Sequence, residues 1–571
     1  VRVREPLAAE LMPPSLRTSG LPEIAANDTV GRLVRDTLAD IERAGRDVLA
    51  AWQQHRAGAV PQAPAAPPPR LVQRRVQRQL DLQSTIPYVA DHELYPQRAG
   101  WPIVADRHPV VPMTMEVMLV REAVEEALPH LKVVEVSHIH AYSWLAVAQP
   151  VTVDIVLQSL DEQVVEVEIV GYFRARVHIA AHYPQADLVP SPALVAPRET
   201  AVPAARLYAE HWMFHGPAYQ GVAAFDAIGD NGIDGRLRVP AGKGALLDNM
   251  GQLAGYWVME QPRDCLAMPI GVDRIRFFAP DPQPGETLQA QVRIAALDEL
   301  NCVSDHQLRD AAGRLRIAID GWRTRRYQMD KPFWEASRLL SRLQVSQLVP
   351  PNVALFDDRY DTAILRDYLG RRYLTAVERA IYDGLSPRRR RQWLNGRVAA
   401  KDAVRAWLRG QGIADEVYPQ EVRIANDEAG APHLHANVTA VVPANLQVSI
   451  AHKDALAVAI VGTQPVGIDL ERIEARDADF IAMVFTPAEQ ALLAGGDPAV
   501  EYTRGWVAKE AAAKAARTGL GGRLREYLIE ARDGDCLRVN GLWVVTHVLP
   551  AHVLGWSIDG ALAASGTSIA A

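Results

Sequence analysis

Gly467-Ile-Asp469-Leu-Glu471 and, further along, Trp506-Val-Ala-Lys509-Glu510-Ala-Ala-Ala-Lys514 decide how the carboxyl-terminal part of this chain is read. The first run follows strand-like residues, so Asp469 and Glu471, two apart, face the same side. Neighbouring carboxylates repel each other, and a hard divalent cation is the usual remedy. The second run reads as a helix. Glu510 offers a third oxygen ligand, and Lys514 lies one turn along the same face. A third element, Ser449-Ile-Ala-His452, ends a strand and presents a donor suited to a phosphate. Singly, each has an ordinary reading: a solvated strand edge, an exposed Lys509–Glu510 helix pair, a structural histidine. Their order and spacing argue for one shared site.

Outward from these runs, residues 390–410 and 499–516 read as helices and 446–450 and 455–461 as strands. Upstream lie Leu394-Asn-Gly-Arg-Val-Ala-Ala-Lys401 and Gly430-Ala-Pro432, and downstream Gly519-Leu520-Gly521. Together these motifs closely resemble the surfactin-type phosphopantetheinyl transferases. The resemblance implies a pseudo-dimeric α/β fold of two similar halves, with coenzyme A in the cleft between them. It implies that Asp469, Glu471 and Glu510 hold Mg²⁺ on the pyrophosphate and that Lys514 lies beside the attacked β-phosphate. Arg397, Lys401, His452 and Lys509 would bind the coenzyme. A carrier serine attacks and 3′,5′-ADP leaves, with Glu510 and Lys514 both candidates to take the serine proton. One position departs from the family pattern, because Ala431 stands where a basic residue is common. His433 and the arginine run at 388–391 are candidates to replace that contact, and the run reads equally well as a solvated helix face.

Residues 80–330 follow a different rhythm. Apolar and polar residues alternate over 164–170, 172–179, 288–294 and 314–319, as in half-buried antiparallel strands. Strongly apolar helix candidates stand at 113–128 and 246–260, the second stopping before Pro262. A helix followed by long strands, twice over, suggests an internal duplication in which a curved sheet wraps each helix. Tyr88-Val-Ala-Asp-His92 precedes Pro109-Val-Val-Pro-Met113, and His215-Gly-Pro-Ala-Tyr-Gln-Gly221 precedes Leu247-Asp248-Asn-Met-Gly-Gln252. Alone, His92 is a surface residue and Asp248 a helix cap. A histidine facing a carboxyl group is also the base and acid that a β-elimination needs.

The two sets resemble the double-hotdog dehydratase domains of modular and iterative polyketide synthases. The resemblance implies that His92 removes the α-proton of a 3-hydroxyacyl-carrier thioester. Asp248, oriented by Gln252, would protonate the departing hydroxyl to leave a 2-enoyl thioester. The first motif departs from the family, in which His, three residues, Gly, four residues and Pro follow one another. Here Pro96 stands at the glycine position and Pro112 lies well downstream, which an insertion of about eleven residues after His92 explains. Such an insertion would form a loop at the tunnel mouth. His108 is the competitor for the base, and His92 is preferred because Asp91-His92 follows Pro87-Tyr88 as in the family.

The fold class expected is therefore α+β: a double hotdog, with antiparallel sheets wrapped on central helices, followed by the pseudo-dimeric α/β transferase fold. A length of 571 residues suggests two to four domains. Helical periodicity at 31–54 and the proline-rich run at 60–69 make 1–75 a linker helix and tether. The dehydratase domain is expected over 76–330, a connector over 331–350, and a transferase able to fold alone over 351–571. A net charge of −7 argues against a nucleic-acid binder. No apolar run reaches the ~18 residues of a membrane span. Cys265, Cys302 and Cys536 lie too far apart for a disulfide framework or metal cluster, which suits a reducing cytoplasm. The start at Val1 suggests a piece of something longer. The chain reads as the terminal part of an iterative polyketide or polyunsaturated-fatty-acid-type synthase that acts on a carrier domain of the same assembly, and a homodimer is compatible. Two rivals stay open: a non-catalytic scaffold, or a thioesterase-like hotdog, joined to an active transferase.

Overall fold

Alternation of apolar and polar side chains builds most of the amino-terminal body. The first repeat supplies β1 (Gln73–Leu80), helix α1 (Met113–Ala127), β2 (Lys132–Ala141), β3 (Val151–Ser159), β4 (Val164–Ile169) and β5 (Phe173–Ala180). The second supplies β6 (Val222–Gly229), β7 (Gly232–Arg238), α2 (Ala245–Met259), β8 (Cys265–Phe277), β9 (Thr287–Leu297), β10 (Asn301–Arg309) and β11 (Leu315–Gln328). Along β4 and β5 every second side chain is buried, the period of a strand with one wet face. The computed structural model describes residues 73–186, 190–261, 265–328, 338–350, 352–360, 363–428, 430–435 and 442–558. The expected linker helix and tether lie outside them, although residues 73–75 already belong to β1.

These strands form one 11-stranded antiparallel sheet in the order β1-β3-β4-β5-β2-β8-β11-β10-β9-β7-β6. The repeats join where β2 pairs with β8, with Ile139 opposite Val272. Of their 15 residues, α1 buries 10 and α2 buries 12, so neither has a broad wet face and each must be wrapped. Gly244, at the start of α2, has φ +77, and a Cβ there would lie 2.6 Å from the backbone nitrogen of Met115. Glycine is what lets the two helix starts touch.

The carboxyl-terminal body is also duplicated. Its first half contains β12 (Val353–Asp357), α3 (Ala376–Asp383), α4 (Pro387–Gly410), β13 (Gln447–Lys453) and β14 (Leu456–Gly462). Its second contains β15 (Ile468–Arg472), α5 (Pro487–Leu492), α6 (Pro498–Ala515), β16 (Ile529–Asp533), β17 (Cys536–Val539), β18 (Leu542–Val548) and β19 (His552–Ile558). One sheet runs Gln347–Leu348, β12, β14, β13 and the other β15-β19-β18-β17-β16. The edge strands β13 and β15 meet at the seam, where Ile468 N–H donates to Ser449 Oγ at 3.3 Å. Ala451, Ile460, Ile468, Leu470 and Trp556 share one apolar cluster there.

The halves repeat a buried polar device. In the first, Thr375 and Glu378 form the capping box of α3, and Glu378 also accepts from Lys401 Nζ at 2.6 Å and from Ile424 N–H at 3.2 Å. In the second, Thr486 and Glu489 cap α5, and Glu489 accepts from Lys509 Nζ at 2.7 Å and from Ile529 N–H at 2.9 Å.

Two expectations about connections are corrected. The described part of the 331–350 connector is built into the carboxyl-terminal body, because the buried Arg405 guanidinium donates to the carbonyls of Leu340, Ser341 and Leu343. The insertion after His92 is not simply a loop at the tunnel mouth. Leu94 and Val110 line a cavity of the amino-terminal body, but Leu94, Tyr95 and Val110 also join the apolar core of the first half of the carboxyl-terminal body. Asp106, fully buried, accepts from Ala376 N–H at 2.6 Å and from Trp101 Nε1 at 3.0 Å. Arg98 donates to Glu421 at 2.8 Å. No described helix is long and apolar enough to cross a membrane.

This interface makes Asp106 a stability residue for both bodies. Asp106→Ala leaves the Ala376 and Trp101 donors unpaired and Arg379 short of a counter-charge, and is expected to cost about 3–5 kcal/mol. Urea unfolding of the whole chain checks it, and an unchanged midpoint would contradict the interface. A chain cut at 350 loses the Arg405 cage as well, so it should be less stable than one cut at 338.

Candidate active sites

The first site forms where the amino-terminal repeats meet. His92 follows the short turn Pro87–Asp91, is buried, and approaches the Val110 carbonyl through Nδ1 at 2.8 Å. A carbonyl only accepts, so Nδ1 carries the proton and Nε2 keeps its lone pair. Burial, then His215, pushes the His92 pKa down to about 4, against the opposing pull of Asp248 and the Val110 bond. His92 is therefore neutral at ordinary pH.

Asp248 stands in the first turn of α2, and one ligand atom each from His92, His215 and Asp248 lies within 4.8 Å of the others. Gln252, one turn on, donates to Asp248 at 2.8 Å and to the Tyr219 carbonyl at 3.1 Å, and accepts from Tyr208 at 2.7 Å. Burial works to raise the Asp248 pKa, but His215, His92 and Gln252 outweigh it and hold the carboxyl below its ordinary value. A cavity of about 150 Å³ opens beside the trio, walled by Met213, Phe214, Met268 and Trp322.

His108, the competing base, lies elsewhere. Its backbone is left-handed at φ 51, and its ring approaches Trp144, Tyr95 and the Arg371 guanidinium at the interface. His215 is the group that motif reading missed. Its Nε2 lies 3.0 Å from Asp248 and its ring stacks on Phe214 at 4.1 Å. The signal was present as a titratable residue opening the His215-Gly-Pro turn, but it read as part of a turn motif.

The second site lies on the seam of the transferase. Gly467 admits α6 against the start of β15, since a Cβ there would lie 1.9 Å from the Ala511 carbonyl. Asp469 pairs with Lys514 at 2.7 Å, and Glu471 pairs at 2.5 Å with Lys453 from β13. Glu510 is raised above its ordinary value, first by burial and then by the charges of Asp469 and Glu471, against Lys514. Asp469 Oδ2 is buried without a partner. An orphan carboxylate oxygen beside two further carboxylates fits a hard divalent cation.

Arg397 is buried, stacks over Trp393 at 4.5 Å and donates to Asn426 at 2.6 Å. Asn426 in turn donates to Gly430, so the Gly430-Ala-Pro432 hairpin and Arg397 are one unit. Burial, against Glu378, pulls the Arg397 pKa down to about 10, and its Nε has no partner. His452 is exposed next to Lys453 on β13. His433 and His435 approach each other at 3.0 Å on that same hairpin. In the arginine run, Arg390 holds Leu385 and Arg391 holds Asp358 at 2.5 Å.

Lys401 and Lys509 do not join these groups. Both ammonium groups are fully buried, each on an internal glutamate and a backbone carbonyl, Tyr373 for Lys401 and Val484 for Lys509. They hold the fold and cannot reach a coenzyme, which corrects the expectation of ligand binding.

Residues 465–541 match the 4′-phosphopantetheinyl transferase superfamily, and residues 186–332, on the second hotdog repeat, match the polyketide synthase dehydratase N-terminal domain. The holo-[acyl-carrier-protein] synthase of Halalkalibacterium halodurans is 37% identical over 89 residues, 16% of this chain and 71% of that protein. That of a Geobacillus species is 37% identical over 88 residues, 15% of this chain and 71% of its own length. The chain belongs to the 4′-phosphopantetheinyl transferase superfamily. Its amino-terminal body resembles the dehydratase domain from the CurF module of curacin polyketide synthase, at 18% identity and TM-score 0.36, covering 45% of this chain and 94% of that one. The dehydratase domain of PpsC from Mycobacterium tuberculosis gives 18% identity and TM-score 0.35, with 45% and 94% covered. The chain thus carries a match to the polyketide synthase dehydratase N-terminal domain ahead of its phosphopantetheinyl transferase region.

The low His92 pKa has a kinetic signature. Because His92 stays neutral until about pH 4, the acid limb of dehydration is expected well below the ordinary histidine value near 6.5. His92→Ala should lower the rate by roughly 10²–10⁴-fold, while His108→Ala costs far less. An acid limb between pH 6 and 7 would contradict the environment described.

Proposed function

We propose that this chain transfers 4′-phosphopantetheine from coenzyme A to the serine of an apo acyl carrier protein, and dehydrates 3-hydroxyacyl thioesters borne on that arm. For the transfer, the observation that carries the reading is the meeting of Asp469, Glu471, Glu510 and Lys514 on the seam between the halves. Asp469, Glu471 and Glu510 are the residues that would hold Mg²⁺. When bound, the ion neutralises charge that develops on the pyrophosphate. Arg397, a buried cation short of partners, draws a coenzyme phosphate into the cleft beside the Gly430 hairpin, and exposed His452 and Lys453 add donors from the facing strand. The serine oxygen attacks the β-phosphorus, the pyrophosphate bond breaks, and 3′,5′-ADP leaves. Glu510, its pKa raised first by burial and then by Asp469 and Glu471, is placed to take the serine proton.

For the elimination, neutral His92 takes the α-proton through Nε2. The C–O bond breaks as the carbon–carbon double bond forms, and the departing hydroxyl takes the proton held between His215 Nε2 and the Asp248 carboxylate, so that water leaves. His215, on the same carboxyl oxygen as Gln252, carries or passes that proton. An open cavity beside an intact His92–Asp248 pair supports an enzyme over a filled scaffold. The carrier is a domain of the same synthase, the chain works in the cytoplasm, and a homodimer is compatible with both. The free Cys302 and Cys536 suit that compartment.

Asp469→Ala and Glu510→Ala should each abolish transfer while leaving the unfolding midpoint near wild type. Intact mass of an apo carrier incubated with coenzyme A and Mg²⁺ reads this directly. Normal phosphopantetheinylation by either variant would remove the metal assignment.

A further inference from the structure

The dehydratase cavity is lined by one ionisable group that the elimination does not use. Glu116 is the fourth residue of α1, as Asp248 is the fourth of α2, and Gly244 brings the two helix starts into contact. The duplication therefore places one carboxyl from each central helix on the same cavity wall. Their surroundings differ sharply. Asp248 receives His215 and Gln252. Glu116 is 2% exposed, and its Oε1 has no partner among the described residues. Thr114 Oγ1, on the same wall, is buried and unpartnered as well. Met113, Met268 and Trp322 make the adjoining wall apolar.

An unpaired buried carboxyl is costly to keep, and a ligand that pairs with it recovers the loss. Burial pushes the Glu116 pKa up to about 8, so the group is largely a neutral acid that both donates and accepts.

We propose that Glu116 and Thr114 form a polar subsite for a second oxygen of the thioester ligand, distinct from the departing hydroxyl. That oxygen belongs either to a hydroxyl or carbonyl farther along the acyl chain or to the outer amide of the pantetheine arm. A chain that is hydrocarbon beyond the reacting carbons leaves Glu116 unpaired and is disfavoured. Sites built to hydrogen-bond a group reject analogues lacking it far more strongly than apolar pockets reject a missing methylene.

The inference rests on the dehydratase reading, and the test separates the two. The full chain is given 3-hydroxyhexanoyl and 3,5-dihydroxyhexanoyl thioesters, each on pantetheine and on N-acetylcysteamine, which lacks the outer arm. Wild type should favour the oxygenated chain, or the full arm, by roughly tenfold or more in kcat/KM. Glu116→Leu should lose that preference and Glu116→Gln should keep most of it. The pair of substrates in which the preference disappears identifies the source of the oxygen. Glu116→Leu should also raise Tm, because it removes an unpaired buried acid from an apolar wall. Wild-type substrate ratios in Glu116→Leu, or a fall in its Tm, would overturn the subsite. If wild type dehydrates none of the four thioesters, the dehydratase reading itself fails and the subsite falls with it.

Discussion

A buried lysine–glutamate pair, used twice, is the constraint on which the transferase depends. Removing two charges from water costs several kcal/mol per ion, and the cost is met only where every donor and acceptor is satisfied. Glu378 meets that condition by capping α3, holding Lys401 of α4 and receiving the Ile424 amide. Glu489 does the same with α5, Lys509 of α6 and Ile529. Each pair thereby ties a helix start, a long helix and a strand into one fixed arrangement. With both halves so fixed, the free edges of their sheets are left to meet each other. Asp469 and Glu471, proposed to hold the cation, stand on one of those edges, β15, and His452 and Lys453, proposed to face a phosphate, on the other, β13.

The dehydratase body obeys a related rule with apolar surface in place of charge. Neither central helix can be covered by its own strands alone, so the repeats share one sheet and place their helix starts together. The active residues again fall on the seam, His92 from one repeat and Asp248 and His215 from the other. The loop that leaves His92 then docks on the transferase and returns at Val110, whose carbonyl fixes the tautomer of His92. The second body thus helps to hold the base of the first.

How much of this was legible depended on how local each signal is. The alternation in 164–170 and 172–179 and the two apolar helices are local, and they lead directly to the duplicated sheet. Asp469 and Glu471 are legible because a strand turns a two-residue spacing into a shared face. Lys401 and Lys509 were misread because a lysine on a helix ordinarily points to water. Their partners, Glu378 and Glu489, lie a helix away and are hidden in Thr-x-x-Glu capping boxes that announce only a helix start. The residues from 93 to 108 could be read as an insertion but not as an interface. Nothing in Asp106 itself shows that its partner is the amide of Ala376. His215 and Glu116 were legible only as a turn residue and a helix residue, since their meaning arises from a cavity that the fold creates.

The central claim is that one chain both loads an arm and dehydrates what the arm carries. The bond broken in loading lies at the pyrophosphate, far from the thioester, so a 3-hydroxyacyl-coenzyme A can serve for both reactions. Intact mass spectrometry of an apo carrier protein, incubated with this thioester, Mg²⁺ and the whole chain, follows both steps on one molecule. The carrier is expected first to gain the complete 3-hydroxyacyl arm and then to lose the mass of one water. A carrier that stays apo, or one that gains the arm and keeps its water indefinitely, would contradict the claim.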